Sequence, residues 1–569
     1  MSQAETNHDV VIVGGGHNGL VAGCYLAREG LDVLVVEQRP QLGGMTTTAA
    51  FVDEAPEHLL SPGAYEDVYL RANGTVEELE LARYGYRELD SAGWAWLGDD
   101  GESLIFRRSI PQTVREIARF SHADAERYRE LAASALKILA IQDRYGRTNP
   151  RHPGIGVLIG ALRALVGDRR LRTTLGALIT STAADAIAST FESQQLRGAF
   201  ASIGTILCPP TAEGSAITML STSLVHQNGA ARPVGGMGGL VDALERCLRA
   251  HGGDVSLGTA AVAIHPRSGC AGTVELEDGR LAHAGRAVIA ACPPQLVPDL
   301  AAELDAAVAE RLRSAPANAT GVGALTVNLA LVGRLELPAH QAHRADFDLR
   351  RPTLFHGSFA DVIGACEQCA RGRLPDTANW CLAILTAIDP SQAPEGQDVA
   401  QLYAPAPVAP DGGWAAQRVN AAARLVAAVG VAAPALTELE IGRYVETPSD
   451  LSDRTGTING CLYHVDHLPT RMGPLRPAFG AGGYRTPVPG LYLGSAGSHP
   501  GGGVSGLPGK LCALTVLADG RSRSGVRSLW RAPVRHSQKP VTRDSQPRTV
   551  PVADNHARHP GDGLATSPH

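Results

Sequence analysis

Val10-Val11-Ile12-Val13-Gly14-Gly15-Gly16-His17-Asn18-Gly19-Leu20 decides the fold. Four β-branched residues in a row predict a buried strand, and Leu20 to Glu29 carries a helical apolar pattern. A second apolar run, Val33 to Glu37, predicts the next strand. Between strand and helix stands Gly14-x-Gly16-x-x-Gly19, the context in which this spacing binds a dinucleotide. Gly14 permits a tight turn, Gly16 lets the backbone approach a pyrophosphate, and Gly19 lets the helix pack on the sheet. Free N–H groups at the helix start, with their partial positive charge, meet the phosphates. Glu37 closes the second strand and offers a carboxylate to ribose hydroxyls. To this point NAD and FAD both fit.

A chain of 569 residues exceeds what one hydrophobic core serves, so two or more domains are expected. A hydrophobic content of 44% with 19% charged residues describes a globular protein, and a net charge of -6 gives no reason to expect nucleic acid as a partner. Neither a secretory signal nor a run near the roughly 18 apolar residues of a spanning helix is visible, which predicts a cytoplasmic protein. The ten cysteines show no framework spacing and read as reduced thiols. Cys366-x-x-Cys369 has no second pair, so no metal site is expected.

Residues 111–200 read as mainly helical, and Pro209-Pro210 breaks that pattern. The turn Gly235 to Gly239 leads into a helix from Leu240 to Arg249. Asp278-Gly279 predicts a hairpin between Thr273–Leu276 and a strand over 287–291. Residues 322–465 mix strands, such as 325–331 and 380–387, with a helix over 415–429. A second glycine cluster, Gly501-Gly502-Gly503, follows Leu491-Tyr492-Leu493-Gly494 and leads into a helix expected over Ser505–Leu517. From about Gly520, Arg, Ser, Pro and His dominate, and 520–569 reads as a disordered basic tail.

Arg39 and Gly43-Gly44-Met45-Thr46 lie just past Glu37, and here the chain resembles the glutathione-reductase-like flavoproteins of the amine oxidase and phytoene desaturase type. The similarity continues through Gly235-Gly236-Met237-Gly238-Gly239-Leu240 and through Gly494-Ser495-Ala496-Gly497-Ser498-His499-Pro500-Gly501-Gly502-Gly503-Val504. Pro209-Pro210, Gly214-Ser215-Ala216 and Asp389-Pro390-Ser391 are similar to the phytoene-desaturase-related subgroup. The resemblance implies FAD as cofactor. It also implies an α/β FAD-binding Rossmann-like domain, glutathione-reductase-like, interleaved with an α+β substrate domain. FAD-binding segments are then expected over 8–75, 231–300 and 486–519, a mainly helical substrate segment over 76–230, and an α+β substrate segment over 301–485. It implies cofactor contacts from Gln38, Arg39, Gly43, Gly44, Met45 and Thr46, from the backbone of Val262 at the adenine, and from Gly494, Ser495, Gly502, Gly503 and Val504. Many relatives carry Asp where Ser495 stands; serine makes one hydrogen bond there but brings no charge.

The implied chemistry is hydride transfer from a substrate C–H to flavin N5, desaturating a C–C or C–N bond. A helix after Gly501–Val504 aims N–H groups at charge developing on a reduced flavin. Tyr463, His464 and His499 are the candidate acid/base groups. The substrate is expected to be apolar, a polyene, terpenoid or biosynthetic intermediate, and the electron acceptor dioxygen, a quinone or another carrier. An amine or amino-acid oxidase on the same fold is the alternative, with 5% aromatic content counting against its usual aromatic pair. A binding protein like the GDP-dissociation inhibitors is the non-catalytic alternative. Pro153 to Gly167 is expected to form a core helix, with a peripheral membrane contact as the other reading.

Overall fold

The computed structural model describes residues 5–267, 270–377 and 379–523; the expected tail lies outside the described residues from 524 on. The strand Glu5–Val13 sits at the centre of the first sheet, parallel to Val33–Val36 on one side and to Leu281–Ala290 on the other. Val10, Val11 and Ile12 have no exposed surface, which is why this run is apolar without alternation. Parallel neighbours need a crossover, supplied by the helix His17–Arg28. Asp254–Ser256 extends the sheet beyond Val33–Val36. The hairpin of Cys270–Leu276 and Leu281–Ala290 turns at Asp278-Gly279, where Gly279 has φ +83°. Ala261–Arg267 pairs outside it.

The sheet is finished from far down the chain. Leu491–Leu493 pairs parallel with Leu281–Ala290, and the helix Leu507–Arg523 follows. That helix starts two residues later than the sequence suggests, with Pro508 in its first turn, where no intrahelical N–H is lost. A Cβ at Gly509 would overlap the carbonyl of Asn18, so the closing helix crosses the opening one at glycine distance.

The second sheet runs in the order Glu440–Glu446, Val322–Leu331, Asp398–Pro407, Trp380–Ile384, Thr353–His356, Trp94–Leu97, Ser103–Phe106. Its pairs are antiparallel except Thr353–His356 with Trp94–Leu97. The helix Trp414–Ala432 packs Leu425, Val426 and Val429 on one face. A helical layer from Ile110 to Gly204 joins the sheet's other end through Phe106, Trp96 and Phe200.

One expectation gains detail and one fails. The segment 76–230 is helical over 110–204 but also holds three strands, Glu88–Asp90, Trp94–Leu97 and Ser103–Phe106. Three or four residues are too few for a period-2 signal, and their pairing partners lie far away in sequence. The helix Ile155–Gly167 is not a core helix: none of its residues is buried, and Ile155, Leu162 and Val166 are 77%, 62% and 67% exposed.

Candidate active site

One cavity of about 540 Å³ runs from the first sheet into the space beside the second. Its narrow arm is backbone. Gly14, at φ +111°, turns the chain under Ala291. A Cβ at Gly16 would meet only the Gly43 carbonyl, at 3.9 Å, so open space faces this glycine. The first intrahelical bond is Leu20 N–H to the Gly16 carbonyl (3.0 Å), leaving earlier N–H groups directed at the arm. Gly43 N–H donates to the Gly15 carbonyl (3.0 Å), which fixes the turn Gly43–Gly44 beside the first turn. Glu37 Oε2 accepts from Gly15 N–H (2.8 Å) and Oε1 from Arg39 N–H (3.0 Å). Each oxygen keeps a lone pair for a further donor. Gln38, Arg39, Gly44 and Met45 complete this end.

At the far end of the arm stand Gly502, Gly503 and Val504. A Cβ at Gly502 would come 2.7 Å from Tyr463, and one at Gly503 would come 2.9 Å from Tyr69. Two rings therefore close directly on a side-chain-free turn. Tyr463 O–H donates to the Ile206 carbonyl (3.0 Å), and burial lifts its phenol well above the usual range. It is a neutral, committed donor rather than a base. His464 lines the cavity at φ +62°, with Nδ1 unpartnered. Burial, with the Arg476 and His17 charges, pushes its imidazole down to about 3, so it is neutral at pH 7. Buried Arg476 holds this loop: its Nη2 donates to the carbonyls of Tyr463 (2.9 Å), Val465 (3.0 Å) and Ala496 (3.0 Å).

The chamber beyond is built from side chains. Val68, Ile203, Ile206, Leu207 and Leu224 give an apolar wall, and Tyr65, Trp94 and Tyr403 add rings. Aromatic residues are few in the chain but concentrated here, which removes the argument from low aromatic content. Tyr403 O–H is committed to the Thr205 carbonyl (3.0 Å).

Not every expected residue reaches the cavity. Gly19 lies behind the arm, where a Cβ would overlap the Gly14 carbonyl, so it serves packing. Thr46 is buried and donates to the Gly43 carbonyl (2.7 Å), closing the turn from behind. The Val262 side chain is 44% exposed, as strand alternation requires, while its neighbour Ala261 lines the cavity; the contact expected of Val262 is through its backbone. Gly494 packs against Ile289 and Cys512, and Ser495 accepts from Gly497 N–H (3.2 Å) while Ala496 takes the lining position. His499 faces Tyr145, ring to ring at 5.1 Å, with burial lowering it to about 4. It shapes the turn and does not reach the chamber.

Other lining residues escape sequence reasoning. His17 opens the first helix, with Nε2 3.1 Å from Asn18 Nδ2; burial lowers it to about 4. Its place inside the glycine motif was the available signal. Arg454 and Glu446 form a buried pair (Nη2 to Oε2, 3.0 Å), and Arg454 Nη1 donates to the Gly44 carbonyl (2.8 Å). Nothing in sequence links residues 410 positions apart.

A dinucleotide fits what is present. Asn18 Oδ1, Arg39 Nε and His464 Nδ1 are buried without protein partners around the arm. Such atoms cost about 1–3 kcal/mol each unless a ligand or water completes them. A family described as flavin containing amine oxidoreductase matches residues 172–406, and an NAD(P)-binding Rossmann-like domain matches 12–67. The chain is 29% identical to pyridine nucleotide-disulfide oxidoreductase domain-containing protein 2 of Rattus norvegicus, covering 90% of this chain and 94% of that protein. It is 27% identical to a limonene dehydrogenase polypeptide of Castellaniella defragrans (92% and 96% covered) and 24% identical to the zeta-carotene-forming phytoene desaturase of Myxococcus xanthus (91% and 95%). Among solved structures, an oxidoreductase of Methanosarcina mazei matches with TM-score 0.58 at 17% identity, covering 90% of this chain and 100% of that one. A putrescine oxidase triple mutant matches with TM-score 0.57 at 17% identity, covering 91% and 100%. These structural likenesses concern the fold alone.

Proposed function

We propose that this chain, a FAD-dependent oxidoreductase of the flavin-containing amine oxidase and desaturase family, removes two hydrogens from a C–C or C–N bond of a largely apolar small molecule. Membership in that family displaces the non-catalytic binding-protein alternative. The observation that carries the substrate reading is the chamber: it is continuous with the glycine arm, and Val68, Ile203, Ile206, Leu207 and Leu224 wall it with hydrocarbon. When bound, the flavin supplies a hydride acceptor at N5.

The chain's own residues orient the substrate, exclude water and hold protons. Tyr69 and Tyr463, in contact with the Gly502–Gly503 turn, border the space in which the substrate lies. The apolar wall keeps water from the reacting carbon. His464 lines the cavity as a neutral imidazole; burial lowers it to about 3, so it relays but does not retain the proton released with the hydride, which ends in solvent. Two relatives whose names specify limonene dehydrogenation and phytoene desaturation support a hydrocarbon-rich substrate. The helix Ile155–Gly167 sets Leu158, Leu162 and Val166 outward beside Arg163, Arg169 and Arg170, and we assign it a peripheral bilayer contact.

Amine oxidation is the second reading. The rings of Tyr69 and Tyr463, both packed on the Gly502–Gly503 turn, favour it. Anaerobic mixing of the flavin-loaded protein with terpene hydrocarbons, terpene alcohols and alkylamines tests both. Bleaching of the flavin band by the terpenes is expected. Bleaching by amines alone, with peroxide formed on admitting oxygen, would replace the first reading with the second.

A further inference from the structure

The apolar chamber has one polar corner. Glu66 lines it with a side chain 9% exposed, and Trp94 Nε1–H donates to its Oε2 (2.8 Å). Its other oxygen, Oε1, has no hydrogen-bond partner. Behind it lies Arg232, 1% exposed, with Nε 3.9 Å from that oxygen. This distance compensates charge but makes no hydrogen bond. Arg232 Nη1 donates to the Ile384 carbonyl (2.8 Å), the guanidinium lies over the Tyr65 ring, and Nε and Nη2 are unpartnered. Thr353, opposite Trp94 in the parallel strand pair, also lines the chamber with an unpartnered Oγ1.

Among the described lining residues, the other carboxylates and guanidiniums sit along the arm: Glu37, Arg39, Asp299, and the Glu446–Arg454 pair joined to Gly44. Asp67 does not line the cavity; it accepts Leu70 N–H (2.8 Å) beside Arg71. The corner therefore holds a charge-balanced pair with open valences of both kinds. A cationic substrate group would add a positive charge beside Arg232, and an anionic one would meet Glu66. A neutral group that donates to Glu66 and accepts from Thr353 satisfies both without a new buried charge.

We infer that the chamber selects an apolar substrate bearing one neutral hydroxyl group, seated between Glu66 and Thr353 with its hydrocarbon along the Val68, Ile203 and Leu224 wall. This rests on the apolar-substrate reading and narrows it to a lipophilic alcohol.

The test uses flavin-loaded full-length protein and two matched sets: limonene, perillyl alcohol and perillylamine; dodecane, dodecanol and dodecylamine. Binding is read from perturbation of the flavin absorbance at pH 7, where the amines are cationic. In at least one set the alcohol is expected to bind about tenfold tighter than its hydrocarbon and its amine. Arg232→Met removes the positive charge beside Glu66 and is expected to move the preference from alcohol to amine; Glu66→Gln is expected to weaken the alcohol's advantage. Should the amine already win in the unaltered protein, or hydrocarbon and alcohol bind alike, the hydroxyl inference fails while the apolar-substrate reading stands. Silence of the flavin band toward all six compounds overturns the apolar-substrate reading and this inference together.

Discussion

The arm and the chamber of this cavity are made of different material. The arm is main chain: Gly14, Gly16, Gly43, Gly44, Gly502 and Gly503 present peptide groups and the start of a helix. The chamber is side chain: Tyr65, Val68, Trp94, Ile203, Thr353 and Tyr403 arrive from separate elements. A surface of peptide groups accepts a ligand that every member of a fold shares. A surface of side chains can be rewritten residue by residue without disturbing it. The division explains why one half of the cavity speaks for the cofactor and the other for the substrate.

The sharpest way to break the comparison is to put a side chain where the arm has none. Gly16→Trp fills the open space facing that residue, and flavin affinity is expected to fall by a hundredfold or more, about 2.7 kcal/mol. Flavin-to-protein absorbance ratios after gel filtration measure it; a normal yellow protein would mean that the arm is not where the dinucleotide lies.

Stability, rather than flavin affinity, reports on the ion pair that braces the arm from the second sheet. Arg454→Leu strands Glu446, 3% exposed, without its partner. A loss of about 3–5 kcal/mol is expected in chemical denaturation. A loss under about 1 kcal/mol would show that the pair behaves as a surface bridge.

A third effect belongs to four histidines held below their ordinary range, His17, His464, His467 and His499. Burial holds His17 and His499 at about 4, and His464 and His467 at about 3. The unfolded chain takes up these protons below about pH 6.5. Between those limits the unfolded state binds more protons, so stability drops as pH falls. The slope is up to about 1.4 kcal/mol per pH unit for each histidine. Urea midpoints of the apoprotein at pH 7 and pH 5 should differ accordingly, and a flat profile would place these rings in water.

The smallest effect is expected outside the cavity. Leu158→Lys with Leu162→Lys, at residues 53% and 62% exposed, should change stability by no more than about 0.5 kcal/mol. The same pair should reduce sedimentation with anionic vesicles if the helix rests on lipid. Unchanged sedimentation would remove that contact.

Legibility in sequence follows the same division. The strand at Val10, the crossover, the hairpin turn at Asp278-Gly279 and the two glycine clusters are local patterns, each set by sterics within a few residues. They could be read. His499 misled because proximity in sequence to Gly501 is not proximity to the chamber. Glu66, Arg232 and Thr353 left no trace, since Arg232 meets Glu66 and Thr353 meets Trp94 only through strands and turns far apart in the chain. The helix Ile155–Gly167 was misread because an apolar run looks the same whether protein or something else covers it.

The crossing of Gly509 over Asn18 carries a consequence for how such a chain comes to life. The site's two lips are separated by almost 500 residues, so a chain growing from a ribosome makes the first lip early and the second late. Until Leu491–Leu493 docks beside Leu281–Ala290, the half-built cleft has no second jaw. Cofactor capture is therefore a late event in the molecule's assembly, and the supply of flavin meets a nearly complete polypeptide rather than a nascent one.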